Sequence, residues 1–446
     1  MGNHDHDRPA DAAPAPEKGY ADDSTDTTAF LARAAEALRA LPAKGERSGA
    51  QQATAERIHT GARRARRRFL ERHADTVYAE LTDDRRASLR LGDLADQASE
   101  LHPGLVPTKE EIEEERVLPQ RDKEGREIDQ GIFFWSLLNS RAAGPHLMDA
   151  MRRPTGQALA ALPGFRAAGS VDLGIVTVRR HGEIGEVTVN NARFLNAEDD
   201  LLVTALEVAV DLVLLDESIR VGVMRGAEMT HPRHAGRRVF SAGINLTHLY
   251  RGEISFIDFF LGRELGYINK IFRGLSAPDD SGAWLPEPVE KPWIGAVDGF
   301  AIGGGAQILL VFDRVIAADG AYFSLPALRE GIIPGAANLR MPRVAGNRLA
   351  RQAVFADRRI DAATPEGRLL CDETVPGDRL DEAVRAAADE LANPAVVNNR
   401  RILHQHEEPE DVFRRYMASY AVEQCKRLYS PDLVETLDRT WISRNR

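Results

Sequence analysis

The chain has 446 residues, a formal net charge of −10 and 43% apolar side chains. That length exceeds one ordinary domain at roughly 150 residues each, and the acidic balance argues against a nucleic-acid partner. Its two cysteines, Cys371 and Cys425, lie far apart and match no metal spacing, and a cytoplasmic protein without structural disulfides is the simplest account. No apolar run approaches the ~20 residues of a membrane span, and the N-terminus lacks the hydrophobic stretch of a secretory signal.

Residues 1–26 are rich in Asp, Ala, Pro and His with little to bury, and read as a disordered leader. His4 and His6 sit in that polar stretch, where a solvated leader is favoured over a metal site. Residues 27–165 read as an all-helical domain. Phe30, Leu31, Ala34, Leu38 and Leu41 recur at helical spacing and stop at Pro42. Ile58, Ala62, Ala65 and Phe69 continue to Val77 and Leu81, and Thr108-Lys-Glu-Glu111 forms a capping box. The basic run Arg63, Arg64, Arg66, Arg67 and Arg68 mixes with Glu56, Glu71 and Asp75, so a solvated helix face or subunit contact is favoured.

The texture changes beyond Val171. Gly174–Arg179, Glu186–Asn190, Arg220–Met224 and Trp293–Val297 are strand-like, with helical patterns such as Asp199–Asp216 and Ala306–Phe312 among them. Strands alternating with helices predict an α/β layered core over residues 171–360. Residues 361–446 read as helical again, beginning at Thr364-Pro-Glu-Gly367, and are expected to supply oligomer contacts.

Two segments carry most of the chemistry: Phe240-Ser-Ala-Gly-Ile-Asn-Leu246 and Asp298-Gly-Phe-Ala-Ile-Gly-Gly-Gly-Ala-Gln307. Each runs from a strand into glycine at the mouth of a helix, where unpaired backbone N–H groups can hold a developing oxyanion. Alone, Gly303–Gly305 reads rather as a strand–helix packing point, and Ser241–Gly243 as an ordinary turn. The loop 226–238 carries His231, Arg233, His234, Arg237 and Arg238, suited to phosphates or simply solvated. Arg263 falls among Phe256, Phe259, Phe260 and Tyr267, placed either to bind a polar group or to make an ion pair. Glu198 is placed for a substrate hydroxyl or proton transfer, or as a carboxylate at a helix N-terminus.

Taken in order and spacing, these segments resemble the crotonase (enoyl-CoA hydratase/isomerase) superfamily across residues 171–390. The resemblance implies a ββα spiral core preceded by a large helical extension and followed by a helical C-terminal region. It implies an acyl-CoA thioester whose carbonyl lies between the N–H groups of Ile244 and Gly304. Ala242, Gly243, Asn245, Gly303 and Gly305 flank those donors. Asn190–Ala197 matches the first CoA loop, with Ala192 and Arg193 toward the nucleotide. His231, Arg233 and His234 become candidate CoA contacts.

At the two positions where a hydratase of that superfamily has its catalytic glutamates, this chain has Gln307 and Ala327. Hydration is disfavoured, although Glu330 lies three residues beyond Ala327. The helical extension together with Gln307 and Ala327 is similar to a cofactor-independent dioxygenase branch that serves antibiotic biosynthesis. That similarity implies an arylacetyl-CoA and O2 as substrates, with no metal or organic cofactor. Glu198, Arg263 and Gln307 would then bind ring hydroxyls or oxygenated intermediates in a homo-oligomer, trimer or hexamer. The sequence carries no Rossmann or P-loop fingerprint, and His404-Gln-His406 lacks an adjacent cysteine. Competing expectations are a thioesterase, isomerase or decarboxylase on the same core, or a non-catalytic oligomeric scaffold.

Overall fold

A computed structural model describes residues 13–230, 234–277, 284 and 286–444, with residues 440–444 as backbone only. The chain forms two compact units. One holds the described residues up to Leu147 with Arg251–Glu253 and Met417–Ser430, and the other holds Met148–Tyr250, Ile254–Tyr416 and the chain from Pro431 onward.

The first unit is helical. Its first helix, Tyr20–Arg39, starts seven residues ahead of the expected boundary at Thr27. The reason is a buried polar anchor: Asp23 accepts a 2.8 Å hydrogen bond from His73 and receives the Lys18 backbone N–H. Helix Gly49–Leu81 carries the predicted stripe, burying Ala62, Ala65, Phe69, Val77 and Leu81. The capping box at Thr108 forms as expected. In the basic run, Arg67 pairs with Glu71 on the helix surface, while Arg63 and Arg66 both pair with Asp129.

Residues 417–430 group with these N-terminal helices, whereas the expected C-terminal region ran unbroken over 361–446. Gln120 donates to the Leu428 carbonyl and Tyr429 to Glu127. The Cys425 thiol packs so closely on Gly131 that a Cβ there would lie 2.7 Å from Sγ. Sequence distance hides such contacts.

Among the described residues the second unit has ten strands: β1 Ser170–Asp172, β2 Val176–His181, β3 Ile184–Val189, β4 Val221–Gly226, β5 Trp293–Val297, β6 Phe300–Ile302, β7 Arg314–Ala318, β8 Tyr322–Ser324, β9 Ile360–Asp361 and β10 Glu373–Val375. Seven form one sheet in the order β1-β2-β3-β4-β5-β7-β10, antiparallel through β3 and parallel beyond it. A smaller sheet runs β6-β8-β9.

Strands β4 and β5 are buried at every residue, as parallel strands covered on both faces must be. Gly222 is required there, because a Cβ would sit 2.4 Å from the Trp293 ring. The predicted helix at Thr364 is only a 3-10 turn, Gly367–Leu369, held by the Thr364 hydroxyl accepting the Gly367 N–H.

Candidate active site

The loop after β3 turns back through two consecutive left-handed residues, Leu195 (φ 54°) and Asn196 (φ 57°). Asn196 is fully buried and stabilises that conformation: its Oδ1 accepts the Asn191 N–H at 2.8 Å, and its Nδ2 donates to the Val239 carbonyl at 2.7 Å. The chain then runs beside the segment after Val239. Glu198 N–H donates to the Gly243 carbonyl (2.7 Å), and Asn245 N–H donates to the Glu198 carbonyl (2.8 Å).

This is one rung of a parallel ladder opposing Glu198 and Ile244. Because Glu198 uses the residues on either side of Ile244, the Ile244 N–H points away from the Glu198 segment. The Gly304 N–H is the first of helix Gly304–Leu309, an orphan amide by position. Among the described residues neither amide donates to a backbone carbonyl.

Three glycines let the two segments meet. A Cβ on Gly243 would lie 3.4 Å from the Gly303 Cα, and Gly303 itself adopts φ 52°. A Cβ on Gly305 would lie 2.6 Å from the Ser241 Cβ. These glycines therefore perform the close packing that the motif alone also suggested.

Helix Asp200–Leu215 is capped by Asp199, whose Oδ1 accepts the Leu202 N–H. Glu198 is thus not the capping carboxylate. It is 1% exposed and turns toward Arg263, which a π-helical turn at Phe256–Leu261 delivers into the same interior. Arg263 uses all five of its N–H groups. Nε donates to Glu198 Oε2 at 2.5 Å; Nη2 donates to the Gly304 carbonyl at 2.7 Å and Glu198 Oε1 at 3.4 Å; Nη1 donates to Glu264 Oε1 at 2.7 Å and Gln307 Oε1 at 3.1 Å.

Burial opposes the guanidinium charge, yet Glu198, Tyr267 and Glu264 hold its pKa above the ordinary value. Burial, with Glu198 close by, pushes the Tyr267 hydroxyl well up, so it stays protonated and donates to Glu198 at 3.3 Å. Of the two expectations for Arg263, the ion pair is what the structure shows, at the centre of a polar cluster. Since arginine only donates, Gln307 must turn Oε1 toward it, which leaves Nε2 as the group facing away.

A cavity of about 610 Å³ is walled by Arg193, Ala242, Ile244, Asn245, Glu330 and Leu437 among others, and no side chain of the Arg263 cluster lines it. Its wall includes Ile244 but not Gly304. Arg193 is exposed at its edge and stacks its guanidinium on Phe194. Ala192 and Ala242 pack against Met229, Val239 and Phe300. His234 lies edge-on to the Phe300 ring, 5.6 Å between centroids. His231 and Arg233 lie outside the described residues.

Ala327 is buried and offers nothing polar. Glu330 stands on the cavity wall, its Oε2 3.8 Å from where a Gly303 Cβ would be. Sequence reasoning missed Glu264, Arg340 and the C-terminal helix Pro431–Arg444, whose Thr436 and Leu437 line the cavity. Adjacency to Arg263 was the one available signal for Glu264. Among the described residues no three of His, Cys, Asp and Glu are grouped to hold a metal ion.

The family model for enoyl-CoA hydratase/isomerase matches residues 275–412. A protein of Amycolatopsis orientalis, (3,5-dihydroxyphenyl)acetyl-CoA 1,2-dioxygenase, is 50% identical over 408 residues, spanning 91% of this chain and 93% of its own. The chain belongs to the crotonase superfamily. Two further crotonases match a smaller part of it. A probable enoyl-CoA hydratase of Rhizobium meliloti (strain 1021) is 29% identical over 217 residues, 48% of this chain and 74% of its own. The crystal structure of an enoyl-CoA hydratase from Mycobacterium avium subsp. paratuberculosis K-10 matches the fold with a TM-score of 0.50 at 21% identity, covering 60% of this crotonase and 99% of that chain.

Proposed function

We propose that this crotonase is a cofactor-independent dioxygenase that converts 3,5-dihydroxyphenylacetyl-CoA and O2 to 3,5-dihydroxyphenylglyoxylate and CoA. The observation that carries the reading is the 50% identity, over nearly the whole chain, to a protein named for that activity. The site chemistry supports it. Two backbone amides, Ile244 and Gly304, suit a thioester enolate, and each such donor contributes on the order of 3 kcal/mol in a dry site.

Loss of one α-proton gives the enolate, which the resorcinol ring delocalises. Two electrons pass from Cα to O2, forming a C–O bond and a peroxide anion. The peroxide attacks the thioester carbonyl; the O–O bond then breaks, the second α-proton leaves, and CoA departs as the thiol. Both oxygens end in the product. Glu198, Arg263 and Gln307 are assigned to the ring hydroxyls and oxygenated intermediates, Arg193 with His231, Arg233 and His234 to the CoA. The reading extends to a cytoplasmic homo-oligomer, trimer or hexamer, in which residues 361–446 supply subunit contacts.

Glu330 on the cavity wall favours one other reading, an isomerase that moves a proton on the same enolate. O2 uptake by metal-stripped protein given 3,5-dihydroxyphenylacetyl-CoA, with free thiol followed in parallel, separates them. Stoichiometric O2 loss and thiol release, insensitive to chelator, are expected. Thiol release without O2 uptake would identify a thioesterase, and a rearranged thioester without either would identify an isomerase.

A further inference from the structure

Behind Arg263 lies a second tier of charges that the proposed chemistry does not use. Glu264 is 1% exposed and gives Oε1 to Arg263 Nη1. Its Oε2 accepts no hydrogen bond among the described residues, and it faces Arg340 Nη1 at 3.5 Å. Arg340 is itself clamped by Glu408, donating through Nε at 3.0 Å and Nη2 at 3.1 Å, and Arg273 also donates to Glu408. Two opposed carboxylates thus fix Arg340, and Arg340 fixes Glu264.

Gly335 completes the arrangement. A Cβ on it would lie 2.1 Å from Glu264 Oε1 and 2.5 Å from Gln307 Oε1. The absent side chain is the space in which both acceptors reach the same Nη1. Tyr416 fastens this glycine by donating its hydroxyl to the Gly335 carbonyl at 2.5 Å. The tier stretches from the helix at Gly262–Leu265 to the helices beginning at Ala337 and Glu410. Merely burying charge does not explain it, since replacing such ion pairs by apolar groups is often neutral or stabilising.

We propose that Glu264, held by Arg340 and given room by Gly335, is a positioning residue for the reaction: it sets the guanidinium of Arg263, which in turn aligns Glu198, the Gly304 carbonyl and the amide of Gln307. The proposal rests on the acyl-CoA reading above for the reaction it serves, though not on O2 chemistry. Without Glu264, Nη1 keeps only the neutral Gln307 as partner, and the guanidinium is drawn toward Glu198 alone. Gln307 then loses the fixed donor that turns its Nε2 outward.

The test compares Glu264→Ala, Glu264→Gln and Gly335→Ala in the full chain. The readout is anaerobic exchange of the α-protons of 3,5-dihydroxyphenylacetyl-CoA with D2O, followed by NMR at saturating thioester, beside thermal unfolding. The alanine variant at 264 should exchange about 100-fold more slowly with a KM changed less than about threefold, the scale of loss for a small misplacement of reacting groups. Glu264→Gln, which keeps an acceptor of the same shape, should recover most of the rate. Gly335→Ala should behave like Glu264→Ala although every charged group is still present.

Wild-type exchange without O2 uptake in air would end the dioxygenase reading and leave this proposal standing. A folded Glu264→Ala protein exchanging at the wild-type rate would overturn the proposal alone. So would a crystal structure of that variant in which Arg263 keeps its bonds to Glu198, Gly304 and Gln307, whatever the acyl group.

Discussion

The carboxylate of Glu198 lies against the Cα of Gly304: a methyl group added there would sit 2.2 Å from Glu198 Oε1 and 3.1 Å from Arg263 Nη2. A residue near the end of one loop thus limits what can stand at the first position of a helix more than a hundred residues on. Gly304→Ala would force Glu198 and Arg263 aside. Alanine is otherwise the better helix former by about 1 kcal/mol, so the fold should survive while kcat/KM falls by roughly 100-fold or more. Thiol release assays beside a melting curve check this; a variant of wild-type activity would separate Glu198 from the site.

Gln307→Glu should not create a hydratase. It places a third carboxylate, after Glu198 and Glu264, around one guanidinium and removes the only donor of that side chain. Ala327 is buried and supplies no acid–base group. O2 uptake should fall about 10- to 100-fold, the effect of one mismatched buried polar group. Measurable hydration of crotonyl-CoA by this variant would contradict the account of the glutamine.

His404 gives a pH signature. Its ring stacks on Phe272 at 3.8 Å between centroids and donates Nδ1–H to the Phe272 carbonyl at 2.7 Å. Burial first, then Arg400, pulls its pKa from 6.5 down to about 3. The folded protein therefore keeps it neutral where the unfolded chain protonates it. Between pH 6.5 and 3 the unfolded state binds the extra proton, so stability falls as pH falls through that window; above it, this histidine contributes no pH dependence. In denaturant titrations His404→Gln should flatten that slope by at most about 1.4 kcal/mol per pH unit. An unchanged slope would show that the histidine is protonated in the fold.

Lys270 is completely buried between Glu207 (2.8 Å) and Asp211 (2.7 Å). Lys270→Met leaves two carboxylates without their cation and should cost about 3–5 kcal/mol of stability. The midpoint of urea unfolding measures it. A loss below about 1 kcal/mol would mean that water reaches those carboxylates.

Much of this was legible in local pattern. The helix Asp200–Leu215, the strands β4 and β5 and the Thr108 cap follow from apolar spacing and capping chemistry, which act over a few residues. The start at Tyr20 was missed because Asp23 looks solvated until His73, fifty residues on, closes over it. Likewise Thr364 carries a helix-start signal, yet only a 3-10 turn follows.

The sequence by itself determined the chemistry available: two glycine-bearing turns with spare amides, an amide at Gln307 and a methyl at Ala327 that supply no carboxylate, and candidate polar groups at Glu198 and Arg263. Residue type and short-range spacing suffice for these, because a missing side chain or an absent carboxylate is visible without coordinates. Only the tertiary structure decided their partners. Arg263 meets Glu198 across 65 residues and Gln307 across 44, while Glu264 leans on Arg340 and Gly335 makes room for it. Electrostatic pairing and steric clearance depend on distances of a few ångströms between remote segments, and those distances exist only once the chain has folded.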